Sequence, residues 1–187
     1  MAQQVTLPEE ELVRKANAIK TLSLGVLATA GAGEIITIVI WLFNPLFPVI
    51  SATSMLVALM LIGTVTYWLV RAGQVKMAGY FLVICATLES AIITPLFGGF
   101  TGPMAITYLF SILVAGIAIS INASFFIATL AAVLYLAMIG VEKASLLPQL
   151  IAPEREGTVI PYLTVGIQVV FFYLIAFLSW FAASRLN

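Results

Sequence analysis

Two acidic residues, Glu34 and Glu89, each lie near the middle of a long apolar stretch. A charged carboxylate at the centre of a membrane helix costs about 2.5–3.5 kcal/mol on insertion scales, so each side chain should face protein or water. Both lie roughly 18–20 Å from the inner ends of their predicted spans, at 1.5 Å per residue. Neighbouring carboxylates in a low dielectric do not both ionise cheaply. The pattern therefore predicts a buried carboxylate pair. The pair would be either a proton-responsive or cation-binding site, or two protonated side chains that join helices by hydrogen bonds.

Other residue types that carry chemistry are missing from the sequence. The chain has no histidine and one cysteine, Cys85, which removes the usual haem and zinc ligand and excludes an internal disulfide or an iron–sulfur cluster. It contains no Walker loop, dinucleotide fingerprint or nucleophile elbow, and no basic patch that is typical of nucleic-acid binding. We therefore expect no enzymatic activity, no metal, no cofactor other than a bound lipid, and no nucleotide or nucleic-acid partner.

The composition predicts the class of protein that must hold these residues. Hydrophobic residues make up 63% of the chain and charged residues 9%, and the mean hydropathy is +1.16, which is far from the range of soluble domains. Lipid offers no partner to an unpaired backbone amide, so the spans should all be helical. We predict an all-α polytopic integral membrane protein with six transmembrane helices in three hairpins. The predicted spans cover about residues 21–43, 49–70, 77–97, 103–120, 122–141 and 159–183.

The positions of the basic residues predict the orientation in the membrane. Basic residues are retained on the cytoplasmic side, and most of those in this chain would lie there if the N-terminus is inside. Both termini are therefore predicted to be cytoplasmic, with residues 1–20 as a leader helix, 142–158 as an outer loop, and the bacterial inner membrane as the location. The basic residues predicted to lie inside are Arg14, Lys15, Lys20, Arg71, Lys76 and Arg185, while Lys143 and Arg155 lie outside.

Aromatic residues near the predicted span ends favour the headgroup level of a bilayer, where amphipathic rings are stabilised. We interpret them as membrane anchors and not as ligand contacts. They are Trp41, Tyr67, Trp68, Tyr80, Tyr108, Tyr162 and Trp180.

Two surfaces are candidates for contact with other proteins. The first is a run of small residues in the first span, with Gly25, Ala28, Ala32 and Gly33 as the predicted helix-interaction face, because small residues let helix backbones approach closely. The sequence leaves open whether this face meets helices of the same chain or of another subunit. The second is the outer loop, whose apolar residues suggest a segment on the membrane surface. Its candidate contact residues are Leu146, Leu147, Pro148, Leu150 and Ile151.

Three short motifs carry a resemblance to a known group of proteins. They are the turn at 71–76 (RAGQVK), the turn at 98–103 (GGFTGP), and Glu142 shortly before 146–148 (LLP). This pattern resembles the six-helix membrane domain of bacterial sensor histidine kinases and related signalling proteins of the Chloroflexota type. The resemblance implies a last span that leads into a cytoplasmic signalling helix and a catalytic domain. The sequence ends at Asn187, so we expect no output domain here, and the resemblance transfers no ligand site.

Two functions from different classes remain open at this point. The first is a non-catalytic accessory subunit that packs by helix contacts against other integral membrane subunits of a larger bacterial complex, with a respiratory or photosynthetic electron-transfer assembly as a candidate host. The second is a stand-alone sensory input module that signals through a separate partner. A small solute or ion carrier is a weaker alternative, because two buried charges provide little for a substrate path.

Overall fold

A computed structural model describes residues 9–45, 49–96, 107–143 and 160–186. Within these ranges the chain forms six α-helices and one π-helical segment, and contains no strand, which confirms the predicted all-helical class. The elements are α1 (Glu9–Phe43), α2 (Val49–Arg71), α3 (Val75–Leu96), α4 (Thr107–Val114), the π segment (Ala115–Ile119), α5 (Ile121–Lys143) and α6 (Ile160–Leu186).

Four of these helices are long and apolar enough to cross a membrane, namely α1, α2, α3 and α5. The apolar stretches Thr107–Ile119 and Val165–Ser179 are shorter. The bounds of α2, α3, α5 and α6 lie within a few residues of the predicted spans. The first helix is longer than its predicted span, because it begins at Glu9 and contains part of the predicted leader.

The chain divides into two compact units, the first ending at Leu82 and the second beginning at Val83. In the first unit, α1 and α2 pack as an antiparallel pair, because residues late in α1 meet residues early in α2. A methyl group added at Gly33 would lie 2.9 Å from Cδ2 of Leu56, and one added at Gly63 would lie 3.0 Å from Cγ of Leu27. Glycine at these positions therefore allows the two backbones to approach closely.

The turn between α2 and α3 is a Schellman motif. The Gln74 amide donates to the Leu69 carbonyl (3.0 Å) and the Gly73 amide donates to the Val70 carbonyl (3.0 Å). These two bonds satisfy carbonyl groups that the end of α2 would leave unpaired. Gly73 has a φ of 78°, which a residue with a Cβ adopts only with strain. The turn therefore ends α2 at Arg71 and starts α3 at Val75.

In the second unit, α4, the π segment, α5 and α6 pack on one another. Ser120 alone separates the π segment from α5. Its backbone is extended, and its hydroxyl accepts a hydrogen bond from the Ala123 amide (3.2 Å), which makes it the N-cap of α5. A regular helix was expected through residue 120. The structure instead closes a wider turn over Ala115–Ile119, where the Ser120 amide bonds the Ala115 carbonyl (3.1 Å).

The core of the second unit contains an aromatic cluster and a layer of small residues. The rings of Tyr108, Tyr135 and Phe172 are all buried, with centroids 6.0, 5.4 and 5.8 Å apart in the three pairs. One end of the bundle is packed more closely, because a methyl group added at Gly116 would lie 2.6 Å from Cβ of Ser179 and 3.2 Å from Oγ of Ser124. Gly116 thus brings the π segment directly against α5 and α6.

Tyr108 was interpreted from the sequence as a headgroup anchor, and this interpretation is wrong. Its side chain is completely buried in the aromatic cluster. Tyr108 lies only one residue into α4, so its position near a predicted span end suggested the membrane surface. The packing of α5 and α6 around the start of α4 places the ring in the interior instead.

Candidate functional site

Glu34 lies in α1 on the side that faces α2. Its Oε1 atom accepts a hydrogen bond from the Thr53 hydroxyl of α2 at 3.0 Å. Its Oε2 atom is buried and has no hydrogen-bond partner in the part of the chain that the structure describes. The antiparallel packing of α1 and α2 explains the contact, because it places the C-terminal part of α1 beside the start of α2. Glu34 therefore links two helices through one of its oxygens.

Glu89 lies in the second unit, in the C-terminal half of α3. The residue is 8% exposed, and neither carboxyl oxygen has a hydrogen-bond partner among the described residues. Cys85 is one turn earlier on the same helix and is partly exposed. An unpartnered buried carboxyl group is costly, so such groups in native proteins call for a bound proton, ion or water. Glu89 is accordingly the strongest candidate for a polar binding site inside the bundle.

The two glutamates belong to different units of the chain, Glu34 to the first and Glu89 to the second. Their predicted pairing, with a shared proton, stays a prediction. What the structure adds is a difference between them, because Glu34 has an interhelical partner in Thr53 and Glu89 has none in the described chain.

The predicted interaction face of α1 is divided between two sides of the helix. Gly33 packs on Leu56 of α2 and so serves the hairpin itself. Gly25, Ala28 and Ala32 are exposed, and a methyl group added at Gly25 would have no atom within 4 Å. We call Gly25, Ala28 and Ala32 the α1 stripe. The predicted contact residues of the outer loop, Leu146, Leu147, Pro148, Leu150 and Ile151, lie outside the described residues.

The sequence reasoning missed two groups of polar residues. One consists of Ser111 and Ser179, which are buried in the second unit and whose hydroxyl oxygens have no partner among the described residues. Isolated serines in apolar helices gave no signal for this. The other consists of Lys20, Tyr67 and Arg71 at one end of the α1–α2 hairpin. The sequence identified Lys20 and Arg71 as orientation signals and Tyr67 as a membrane anchor, but it did not show that the three lie together.

The described residues contain no group of three or more His, Cys, Asp or Glu side chains that could hold a metal ion. Comparisons with protein-family models, with curated proteins and with solved structures found no match to this chain. The resemblance to the membrane domain of sensor histidine kinases therefore stays a prediction.

Proposed function

We propose that this chain is a non-catalytic interaction subunit of a larger membrane complex, inserted in the bacterial inner membrane and packed on a partner subunit through the α1 stripe. Four helices long enough to cross a bilayer support the membrane location. The exposed residues of these helices are largely apolar, as lipid contact requires, and they include Ile36, Leu61 and Leu88.

The observation that carries the proposal is the position of the α1 stripe. Successive helix residues are about 100° apart, which places Gly25, Ala28 and Ala32 on the side of α1 opposite Leu27 and Glu34. Leu27 and Glu34 contact α2, so the stripe faces away from it. Small residues thus lie on two sides of α1. Gly33 packs on α2 within the hairpin, and the α1 stripe would allow an equally close approach by another helix.

The chemistry of the stripe indicates the kind of partner. In lipid there is no hydrophobic driving force that brings apolar helices together, so their association depends on close packing of backbones and side chains. Residues without bulk, such as those of the stripe, permit this packing. The matching partner is a transmembrane helix of another integral membrane subunit. A respiratory or photosynthetic electron-transfer assembly is the candidate host that purification can identify.

Disulfide cross-linking in native membranes tests this proposal. In a Cys85→Ala background, Gly25→Cys on the α1 stripe is compared with Val65→Cys in α2. The two positions lie at a similar depth, because Leu27 of α1 meets Gly63 of α2, and both are exposed. We expect Gly25→Cys to form a cross-link with a different membrane protein, identified by mass spectrometry, and Val65→Cys to form little or none.

Purification of the tagged chain in mild detergent supplies the second measurement. A partner recovered at fixed stoichiometry, and lost from an Ala28→Leu variant that still elutes as a single species, would support the subunit function. Equal cross-linking of Gly25→Cys and Val65→Cys, or cross-links only to copies of this chain, would contradict it.

A sensory input module is the second candidate function, and Glu89 favours it. A buried carboxyl group without a partner among the described residues is suited to gain or lose a proton or a cation as conditions change, and α3 is half buried over its most apolar stretch. Such a change would alter how α3 packs.

Infrared difference spectra at acidic and mildly alkaline pH test this second function. We expect a protonated-carboxyl band that responds to pH and is absent from Glu89→Gln, while Glu34→Gln, the matched control, retains it. A spectrum that is unchanged by Glu89→Gln would remove the observation on which the sensory function rests.

A further inference from the structure

Two cations from different helices lie near one aromatic ring at one end of the α1–α2 hairpin. The Nζ atom of Lys20 in α1 is 5.9 Å from the centroid of the Tyr67 ring. The Cζ atom of Arg71, four residues after Tyr67 in α2, is also 5.9 Å from that centroid. A cation at this distance is attracted by the negative face of the ring. We call Lys20, Tyr67 and Arg71 the basic cluster.

Local structure fixes the positions of both cations. Arg71 is the last residue of α2, held there by the Schellman turn around Gly73. Lys20 is within α1. Ser23 and Leu27, about one and two turns further along, pack closely against Gly63 of α2. The cluster is also separate from Glu34, which lies fourteen residues further along α1, about 21 Å at 1.5 Å per residue.

The cluster carries two positive charges without a matching acid. Among the described residues the ion pair at this end of the hairpin joins Lys15 to Glu11, 2.9 Å apart, and no carboxylate contacts Lys20 or Arg71. Both cations are exposed. An anion bound between them would relieve their mutual repulsion. An arginine and a lysine together suit a phosphate group, which accepts hydrogen bonds from both.

Apolar surface continues from the cluster along both helices. Leu24 follows Lys20 by one turn on the same face of α1 and is 48% exposed, while Trp68 precedes Arg71 by one turn in α2 and is 66% exposed. A ligand that occupies this surface needs an anionic head and an apolar tail. A free phosphate ion would use the two cations and leave the neighbouring apolar surface unused.

We propose that the basic cluster binds the phosphate of an anionic phospholipid, with the acyl chains lying along Leu24 and Trp68. This site would hold the cytoplasmic end of the hairpin at the headgroup level. It depends on insertion of the hairpin into a membrane and not on the partner contact of the α1 stripe.

Native mass spectrometry of the full chain in detergent tests the site. Phosphatidylglycerol and phosphatidylcholine with identical acyl chains are the probes, and they differ in net headgroup charge. We expect phosphatidylglycerol to bind more tightly. Each cation near a lipid surface contributes about fivefold in affinity, so Lys20→Gln with Arg71→Gln should weaken phosphatidylglycerol binding roughly 25-fold.

Matched variants distinguish the cluster from general basic charge. Arg14→Gln removes one exposed charge from the same end of α1 and should change binding by less than about twofold. Lys20→Arg keeps the charge and should retain binding, and the elution profile of each variant shows whether it is folded.

Three outcomes would overturn the proposal. They are equal binding of the two lipids by the unchanged chain, an equal loss in Arg14→Gln and in the double variant, and displacement of the lipid by inorganic phosphate. The last would assign the cluster to a free anion. None of these outcomes depends on a partner subunit, so failure here leaves the proposed subunit function to its own test.

Discussion

The α1–α2 hairpin and the second unit bring their helices together with different kinds of side chain. In the hairpin, glycines at 33 and 63 bring two backbones together, and most of the large apolar side chains in the C-terminal half of α1 remain exposed. In the second unit, bulky rings fill the interior, with Tyr108, Tyr135 and Phe172 fully buried. A hairpin of two helices has no enclosed interior, whereas several helices packed on one another create one.

The buried polar groups follow the same division. The Glu34 carboxyl group has an interhelical hydrogen bond to Thr53. In the second unit, Glu89, Ser111 and Ser179 are buried, and their side-chain oxygens have no partner in the described chain. The hairpin thus uses Glu34 to join its two helices. Unsatisfied polarity, which marks sites that bind protons, ions or water, is concentrated in the interior of the second unit.

Loss of a buried ring should have the largest effect on stability. Phe172→Ala should lower the free energy of unfolding by about 3–5 kcal/mol, because it removes the ring that contacts both tyrosines and leaves a cavity. Thermal unfolding in detergent measures this loss. The neighbouring Phe171 is 45% exposed, and Phe171→Ala should change stability by only about 0.5 kcal/mol. Equal losses in the two variants would mean that the aromatic cluster does not form the core of the second unit.

The close approach at the π segment should give the next largest effect. Gly116→Ala should cost about 1–3 kcal/mol through overpacking against Ser179, since the added methyl group would lie 2.6 Å from its Cβ. Combining it with Ser179→Gly should recover part of the loss, because the two residues compete for the same space.

Gly140 in α5 supplies the control for this prediction, because a methyl group added there meets no atom within 4 Å. Gly140→Ala should be neutral or stabilising by about 0.5–1 kcal/mol. If Gly116→Ala were tolerated as well as Gly140→Ala, the contact between the π segment and α6 would be wrong.

Glycine packing in the hairpin should contribute less to stability than the close approach at Gly116. Gly63→Ala should cost about 1–2 kcal/mol, since the new methyl group meets Leu27 and the Ser23 carbonyl. These contacts are 3.0 Å to Leu27 Cγ and 3.2 Å to the carbonyl oxygen, and the leucine side chain can move aside. Gly25→Ala, on the outward face of α1, should not destabilise the chain. The unfolding temperatures of these two variants decide whether α1 and α2 pack through the assigned faces.

The hydrogen bond of Glu34 should have the smallest effect. Thr53→Val should cost about 0.6 kcal/mol, the average for an interhelical hydrogen bond in a membrane protein. Glu34→Gln keeps an acceptor oxygen and should change stability less than Thr53→Val does. Among the described residues, the Thr64 hydroxyl bonds only to the Met60 carbonyl of its own helix, so Thr64→Val is the control. Strong destabilisation by Glu34→Gln would instead indicate an ionised carboxylate with a charged partner.

Much of the fold was predictable from local sequence features. The long apolar stretches predicted helices, and the turn at 71–76 lies between two of them as expected. The boundary between the predicted spans that end at 120 and begin at 122 coincides with Ser120, a single extended residue whose hydroxyl caps α5. The candidate site was only partly predictable. Glu34 and Glu89 were visible as acids in apolar surroundings, while Ser111, Ser179 and the basic cluster became visible only through packing.

The sequence by itself determined the all-helical class, the positions of most helix ends and the residues that are costly to bury, because these depend on hydrophobicity and on hydrogen bonding between near neighbours. Only the tertiary structure decided which face of each helix meets another. It assigned Gly33 to the hairpin and left Gly25 exposed, placed Tyr108 in the interior, and gave Glu34 a partner that Glu89 does not have among the described residues. In a chain this apolar, every face of a helix resembles every other, so hydrophobic periodicity carries little information. The close fit of particular side chains then selects the contacts.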